Sequence, residues 1–351
     1  MRPIHVPTAA PSPSASTPAA AADSGGGPAK PDVGCAVLRQ AVWTADALAA
    51  RLPVDRDEIA RVARHFRLRV PDGYLDAIES PGDPLWRQAV PTVEELEAGD
   101  LPDDPLAEDD PAYSPVPHLT HRYPDRVLLL VTDACPLYCR FCMRKRKTLQ
   151  GARIGTESIR RGIEYIRQNP AVREVILSGG DPLMLPERLL GRILRELRAI
   201  PHIELLRVHT RMPCVEPRRV TPELAAVLGS VAPLFLGVHF NHPREVTGAA
   251  RAALKTLSRA GIPLNNQAVL LRGVNDDPGV LADLYRRLMR CGVHPYYLHH
   301  ADQVPGTDGF RLTVQEGIEI VTRLRELAPD LAMLHYVLDT PGGGGKVPLE
   351  G

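Results

Sequence analysis

An excess of one charge sign, long apolar runs and paired cysteines are all missing from this chain, and each absence narrows what it can be. Lys and Arg number 42, Asp and Glu number 42, and the formal net charge is zero. No global field then draws the protein to nucleic acid or to an anionic membrane surface, and work on small molecules is favoured. Nowhere do about eighteen apolar residues run without interruption, so a membrane span is not expected. The residues before Cys35 carry almost no charge and no apolar block of signal-peptide length. Of six cysteines, three are grouped and Cys35, Cys214 and Cys291 are scattered, which is not a disulfide framework. A reducing, cytoplasmic setting is expected.

What is present suffices for a sizeable core: 44% of 351 residues are hydrophobic. Residues 1–34 are dominated by Ala, Pro, Ser and Gly and read as a disordered tail. Residues 35–121 read as a helical N-terminal region and connector. Helical spacing is clear from Asp57 to Phe66, with Pro53 and Pro71 as punctuation. Between Pro102 and Pro124 acidic residues and prolines crowd together, compatible with an ordered wrap or a loose linker.

Over residues 122–351 the pattern changes to alternating strand and helix. Strand-like runs at Val127–Thr132, Val172–Leu177, Leu205–His209, Leu234–Phe240, Leu264–Leu271, Tyr296–His299 and Leu331–Leu338 are separated by amphipathic segments of helical length. The fold class is therefore α/β, a partial (β/α) TIM-like barrel of about six β/α units, with a doubly wound open sheet as the alternative. Chemistry in a barrel belongs at the carboxyl ends of its strands. The cysteine group, Ser178 to Pro182, His239 with Asn241, Asp302 and Asp339 all fall at such ends.

The cysteine group is Cys135-Pro136-Leu137-Tyr138-Cys139-Arg140-Phe141-Cys142, and no other cysteine occurs between Cys35 and Cys214. Thiolates suit zinc or iron-sulfur clusters, yet structural zinc and the usual cluster each take four ligands. With three thiols, one iron of a four-iron cluster stays open to chelate a small molecule. The C-x3-C-x2-C spacing resembles that of the radical S-adenosylmethionine enzymes. A chance grouping, a partial zinc knuckle or a redox dithiol at Cys139 and Cys142 is the plainer reading.

A second run, Asp339-Thr340-Pro341-Gly342-Gly343-Gly344-Gly345-Lys346, permits close backbone approach and ends in an amine. It is not a nucleotide-binding P-loop, which requires glycine at Thr340 and Ser or Thr at Val347. A lysine in a dry site can instead form a Schiff base with an aldehyde cofactor such as pyridoxal phosphate. A flexible glycine tail with a solvated lysine is the alternative.

Taken with Arg122-Tyr123-Pro124-Asp125-Arg126, Ser178-Gly179-Gly180-Asp181-Pro182-Leu183, Leu264-Asn265-Asn266-Gln267 and His294-Pro295-Tyr296-Tyr297-Leu298, these runs resemble the lysine 2,3-aminomutase family from about Asp83 to Leu349. The resemblance implies a 4Fe-4S cluster on Cys135, Cys139 and Cys142, S-adenosylmethionine at its open iron, and pyridoxal 5'-phosphate on Lys346. By the same resemblance Arg122, Tyr123 and Arg126 hold the cofactor phosphate. Ser178, Gly179, Gly180 and Asp181 receive S-adenosylmethionine, with Gln267 assisting. His239 is either catalytic or a satisfied core histidine.

Arg144 matches the family's receiver of the substrate α-carboxylate, and Asp302 and Asp339 match the acidic pair that takes the distal ammonium of lysine. A cation between two carboxylates keeps both ionised. Lys145 to Lys147 are expected to be a solvated basic face. The implied reaction is the radical migration of an amino group from carbon 2 to carbon 3 of L-lysine, giving β-lysine. Arginine shares a terminal cation and remains open; a glutamate-specific relative should lack the acidic pair. Some relatives carry further cysteines for an intersubunit zinc site beyond the glycine-lysine run. Here the chain stops at Gly351 and Asp276-Asp277 stand where such a cysteine could be, so no zinc is expected. Shorter relatives that supply β-lysine to a translation factor, and a non-catalytic metal-binding module, are the other readings. The expected partners are a free amino acid and an electron donor such as flavodoxin or ferredoxin, with no nucleic acid and no membrane; homo-oligomer formation stays open.

Overall fold

The computed structural model describes residues 36, 38–97, 101–149, 154–331, 334–340 and 345–349. The expected disordered tail at 1–34 lies outside the described residues, as do Pro341 to Gly344 of the glycine run.

A hairpin of β1 (Leu119–Tyr123) and β2 (Arg126–Thr132) opens the main sheet. There follow α1 (Thr156–Gln168), β3 (Glu174–Gly179), α2 (Glu187–Arg198), β4 (Leu205–Thr210), α3 (Pro222–Gly229), β5 (Leu234–Val238), α4 (Gly248–Arg259), β6 (Leu264–Leu270), α5 (Pro278–Met289), β7 (Val293–His300), α6 (Val314–Leu327), β8 (His335–Thr340) and β9 (Gly345–Pro348). Local chemistry sets the helix starts. Thr221, Thr247, Asp277 and Thr313 each accept a first-turn N–H, and Pro222 and Pro278 occupy first-turn positions where no donor is needed.

Among the described residues the nine main-sheet strands are hydrogen-bonded in sequence order. β2 through β8 are parallel, while β1 and β9 pair antiparallel at the two edges. A doubly wound sheet requires the strand order to reverse at a switch point. None occurs in this sheet, so the barrel expectation holds over the doubly wound one. The edges approach each other: Arg122 Nη2 donates to Thr340 O at 2.5 Å, and the Tyr123 ring packs so closely on Gly345 that a Cβ there would lie 3.1 Å from it. Neither edge strand shows in the hydrophobic pattern, because each is short and dominated by polar or glycine-flanking residues. Strand limits also shift. Leu331 closes a short 3-10 turn, and the last parallel strand begins only at His335.

Along β4, Leu206, Val208 and Thr210 are buried while Leu205, Arg207 and His209 are half-buried. β6 alternates likewise, with Asn265, Gln267 and Val269 half-buried. The buried set packs under the helices, and the other set lines an open lumen. Gly237 preserves that space, since a Cβ there would meet His209 at 2.7 Å and Gln267 at 3.1 Å.

The N-terminal helices Ala45–Ala49, Arg56–Ala63 and Pro84–Ala89 share the main hydrophobic core with the barrel. The connector is ordered where described: Asp104 accepts the N–H groups of Glu108 at 3.0 Å and Asp109 at 2.8 Å. Among the described residues no helix is long and apolar enough to cross a membrane.

Candidate active site

The cysteine loop leaves the carboxyl end of β2 and is tied to the N-terminal region. Tyr138 N donates to Arg69 O at 3.2 Å, Arg140 N to Gln88 O at 3.0 Å, and Arg69 Nη1 to Cys135 O at 2.9 Å. Cys135, Cys139 and Cys142 thereby line one cavity of about 40 Å³ together with Phe66, Tyr138 and Lys145. Burial, and then the neighbouring thiols, push the Cys142 pKa up to about 11 and raise that of Cys135 well above its usual range. Thiols crowded in this way resist ionisation until a cation offsets their repulsion. Among the described residues no three His, Cys, Asp or Glu side chains gather at a single-ion position. Three thiols lining one cavity are a donor set that suits an iron-sulfur cluster. Arg211, which the sequence did not single out, donates from Nη1 to Cys139 Sγ at 2.9 Å and from Nη2 to Glu245 at 2.6 Å.

The Ser178–Asp181 turn lies directly against this loop. Gly179 has φ +129°, and a Cβ on Gly179 or Gly180 would fall 2.2 Å from the carbonyl oxygen of Thr132 or Ala134 respectively. Only glycine allows that approach. Asp181 is buried and accepts from Thr210 Oγ1 at 2.8 and 2.9 Å, from Arg211 N at 2.8 Å and from Leu183 N at 3.0 Å. Its carboxylate therefore anchors the end of β4 to the turn.

Imidazoles line the lumen beyond the loop. Gln267 Nε2 donates to His209 Nε2 at 3.2 Å, and His239 Nε2 donates to Asn241 Oδ1 at 3.1 Å. Burial, followed by the positive charges of nearby Arg and Lys side chains, lowers His209 to about 3 and His239 to about 4. His299 is likewise held well below its usual value. All three are neutral at physiological pH. His239 is thus a hydrogen-bonded neutral group bordering the lumen.

Antiparallel pairing of β9 with β8 sets Lys346 opposite Asp339. Lys346 Nζ donates to Asp339 Oδ2 at 2.5 Å and lies 5.4 Å from the centre of the Tyr297 ring, so it is not a solvated tail. His299 Nδ1 is 3.6 Å from the same carboxylate oxygen. At the adjoining hairpin Arg126 lies over the Tyr123 ring at 5.4 Å. Arg122 Nε is buried without a hydrogen-bond partner among the described residues. An orphaned guanidinium donor beside an aromatic hydroxyl and a second Arg suits a phosphate group.

Two charged poles complete the site. Asp302 is half-buried, and no hydrogen bond to its carboxylate is found among the described residues; burial and then the Asp339 charge lift its pKa to about 6. Arg144 donates from Nε to Glu108 at 3.1 and 3.0 Å and from Nη2 at 2.6 Å. The expected solvated basic face at Lys145 to Lys147 is not observed. Lys145 is buried and bonded to Glu95 and Gly306 O at 2.8 and 3.0 Å, Arg146 pairs with Asp104 at 2.8 Å, and Lys147 with Asp109 at 2.9 Å. The acidic connector folds over the run and neutralises it.

A Radical SAM superfamily profile matches residues 129–284. L-lysine 2,3-aminomutase of Clostridium subterminale is 44% identical over 320 residues, spanning 89% of this chain and 76% of the relative. The Acetoanaerobium sticklandii enzyme of the same name is 43% identical over 319 residues, spanning 89% and 77%. Glutamate 2,3-aminomutase of Clostridioides difficile is 37% identical over 298 residues, spanning 84% and 70%. The chain belongs to the lysine 2,3-aminomutase family.

Members of this family are isomerases of the radical S-adenosylmethionine class, and the family uses a 4Fe-4S cluster, S-adenosylmethionine and pyridoxal phosphate. The thiol cavity, the unpartnered Arg122 donor and the lysine in a walled lumen are the features of this aminomutase chain that fit them. Of the expected site residues Lys346 and Asp339 meet directly, and the charges of Asp339, Arg144 and Lys346 all act on Asp302. Glu108, Arg211, His209 and His299 had escaped notice. Lumen parity along β4 and β7 could have found the two histidines, but nothing local marks Glu108 among the other acidic residues of the connector, Asp103, Asp104, Asp109 and Asp110.

Proposed function

We propose that this chain is a radical aminomutase that converts L-lysine to β-lysine by moving the amino group from carbon 2 to carbon 3. The single observation that carries the substrate assignment is the acidic pair. Asp339 already binds a primary ammonium, that of Lys346, while the half-buried carboxylate of Asp302 has no hydrogen-bond partner among the described residues. Two neighbouring carboxylates in a partly dry lumen both stay ionised only with a cation between them. A substrate with a terminal ammonium supplies it.

When bound, the cluster with S-adenosylmethionine supplies a one-electron route to a carbon radical, and pyridoxal phosphate supplies a delocalising carrier for the migrating nitrogen. The protein's part is to hold and to exclude. In this reading Cys135, Cys139 and Cys142 ligate the cluster, and Ser178, Gly179, Gly180 and Asp181 form the turn that receives S-adenosylmethionine, with Gln267 reaching in from β6. Lys346 tethers pyridoxal phosphate, and Arg122, Tyr123 and Arg126 take its phosphate. Arg144 binds the α-carboxylate, and Asp302 with Asp339 binds the distal ammonium, so that carbon 3 is fixed between the poles. Neutral His209, His239 and His299 keep additional charge out of the lumen.

Glutamate fits this lumen poorly, because its second carboxylate would meet Asp302 and Asp339. The distal guanidinium of arginine has the right sign, which makes arginine the substrate to test beside lysine. A low-potential electron donor such as flavodoxin or ferredoxin in a reducing, cytoplasmic setting belongs to the same reading. The test is anaerobic reconstitution with iron, sulfide, pyridoxal phosphate, S-adenosylmethionine and reductant, followed by product analysis on lysine, arginine and glutamate. β-Lysine formation is expected; turnover of glutamate in preference to lysine would overturn the assignment.

A further inference from the structure

We infer that Glu108 is a positioning residue for the substrate: by clamping one edge of the Arg144 guanidinium it aims the other edge at the α-carboxylate of the amino acid in the lumen. The inference rests on the role proposed above for Arg144. A guanidinium has five N–H donors in a fixed plane. Glu108 accepts from Nε at 3.1 and 3.0 Å and from Nη2 at 2.6 Å, whereas Nη1 has no partner among the described residues. One bidentate contact is thus closed and the end of the fork is left for a second anion. Arg144 stands two residues beyond Cys142 on the thiol loop, and its charge acts on Asp302 and His209.

Glu108 is itself immobilised. Its backbone N–H donates to Asp104 Oδ1 at 3.0 Å, the preceding Ala107 has φ +52°, and Arg146 and Lys147 lie 3.8 and 3.7 Å from Oε2. An Arg side chain left free has many rotamers to lose when it binds. Fixing the guanidinium before substrate arrives removes that loss from the binding step. Glu108 reaches no reacting atom, so its effect falls on affinity rather than on turnover.

The experiment uses the holoenzyme loaded with cluster, S-adenosylmethionine and pyridoxal phosphate, and follows cofactor absorbance during titration with L-lysine and, separately, with 1,5-diaminopentane, which lacks the carboxylate. Glu108→Gln should weaken lysine binding about tenfold, the effect of one charge-assisted hydrogen bond, leave diaminopentane binding unchanged and keep kcat within about twofold. Glu108→Asp, which retains a carboxylate, should restore most of the lysine affinity. Unchanged lysine affinity in Glu108→Gln, or equal weakening of both ligands, overturns the inference. Arg144→Met separates the two levels. If it leaves the lysine–diaminopentane difference intact, the role of Arg144 itself is wrong; if it abolishes the difference while Glu108→Gln leaves lysine affinity unchanged, only the positioning role fails.

Discussion

Buried charge in this barrel occurs in two states. Around the cysteine loop it is neutralised within the chain: Glu95 accepts from Arg140 at 2.8 and 2.6 Å and from Lys145 at 2.8 Å, and Glu108 accepts from Arg144. Around Lys346 it is unfinished. Asp302 has no hydrogen-bond partner among the described residues, Arg122 Nε is orphaned, and Asp339 is bonded to the ammonium of the residue proposed to carry the cofactor. The first set holds a loop in place and stabilises the fold. The second set is destabilising until ligands arrive, which marks where they bind.

The contrast breaks most completely if the groups proposed to take cofactors are removed. Cys135→Ala or Cys139→Ala should lower bound iron and brown absorbance to background and abolish turnover, and Lys346→Ala should remove the yellow cofactor absorbance while leaving iron content intact. Retention of that yellow band through gel filtration of the Lys346 variant would contradict the tether.

Next in size is the neutralised set. Burial alone would raise the Glu95 carboxyl, but Arg140 and Lys145 outweigh it and hold the pKa below the usual value. Glu95→Gln leaves two buried cations without their anion, and a loss of about 3–5 kcal/mol in denaturant unfolding is expected. A depressed pKa contributes stability that is present above the unfolded carboxylate value and is lost as pH falls through the folded one. A Glu95→Gln protein as stable as the parent would show that the network is not structural.

Asp302 should behave with the opposite sign. Its pKa is raised to about 6, so between the unfolded value and about pH 6 the folded state holds a proton that the unfolded state releases, and stability declines as pH rises through that window. Asp302→Asn should therefore stabilise the ligand-free protein at neutral pH by about 1–3 kcal/mol, while weakening lysine binding about 100-fold. In the parent enzyme lysine affinity should fall as pH drops below about 6, and Asp302→Asn should flatten that limb. A destabilised Asp302→Asn protein would place Asp302 in the structural set instead.

The regular part of the barrel was legible because a parallel strand packed under helices leaves a run of β-branched and aliphatic residues, as from Val127 to Thr132, and because amphipathic segments of helical length separate such runs. The hairpin strand from Leu119 to Tyr123 was not legible: its pairing is a property of the partner strand, and its own residues alternate weakly. Lys145 to Lys147 were misread for the same reason. Three consecutive cations look solvated until the fold lays Asp104, Glu108 and Asp109 over them.

Covalent spacing along the chain determined the three-thiol loop, the glycine turn at Gly179 and Gly180, the lysine after its glycine run and the order of strands and helices, since each depends on neighbours within a few residues. Which charges are cancelled and which are left waiting was decided only in three dimensions. Glu95, Glu108, Asp302 and Asp339 are alike as carboxylates in the sequence, and what separates them is the burial of each and the cation, or lack of one, that distant segments bring within hydrogen-bonding reach.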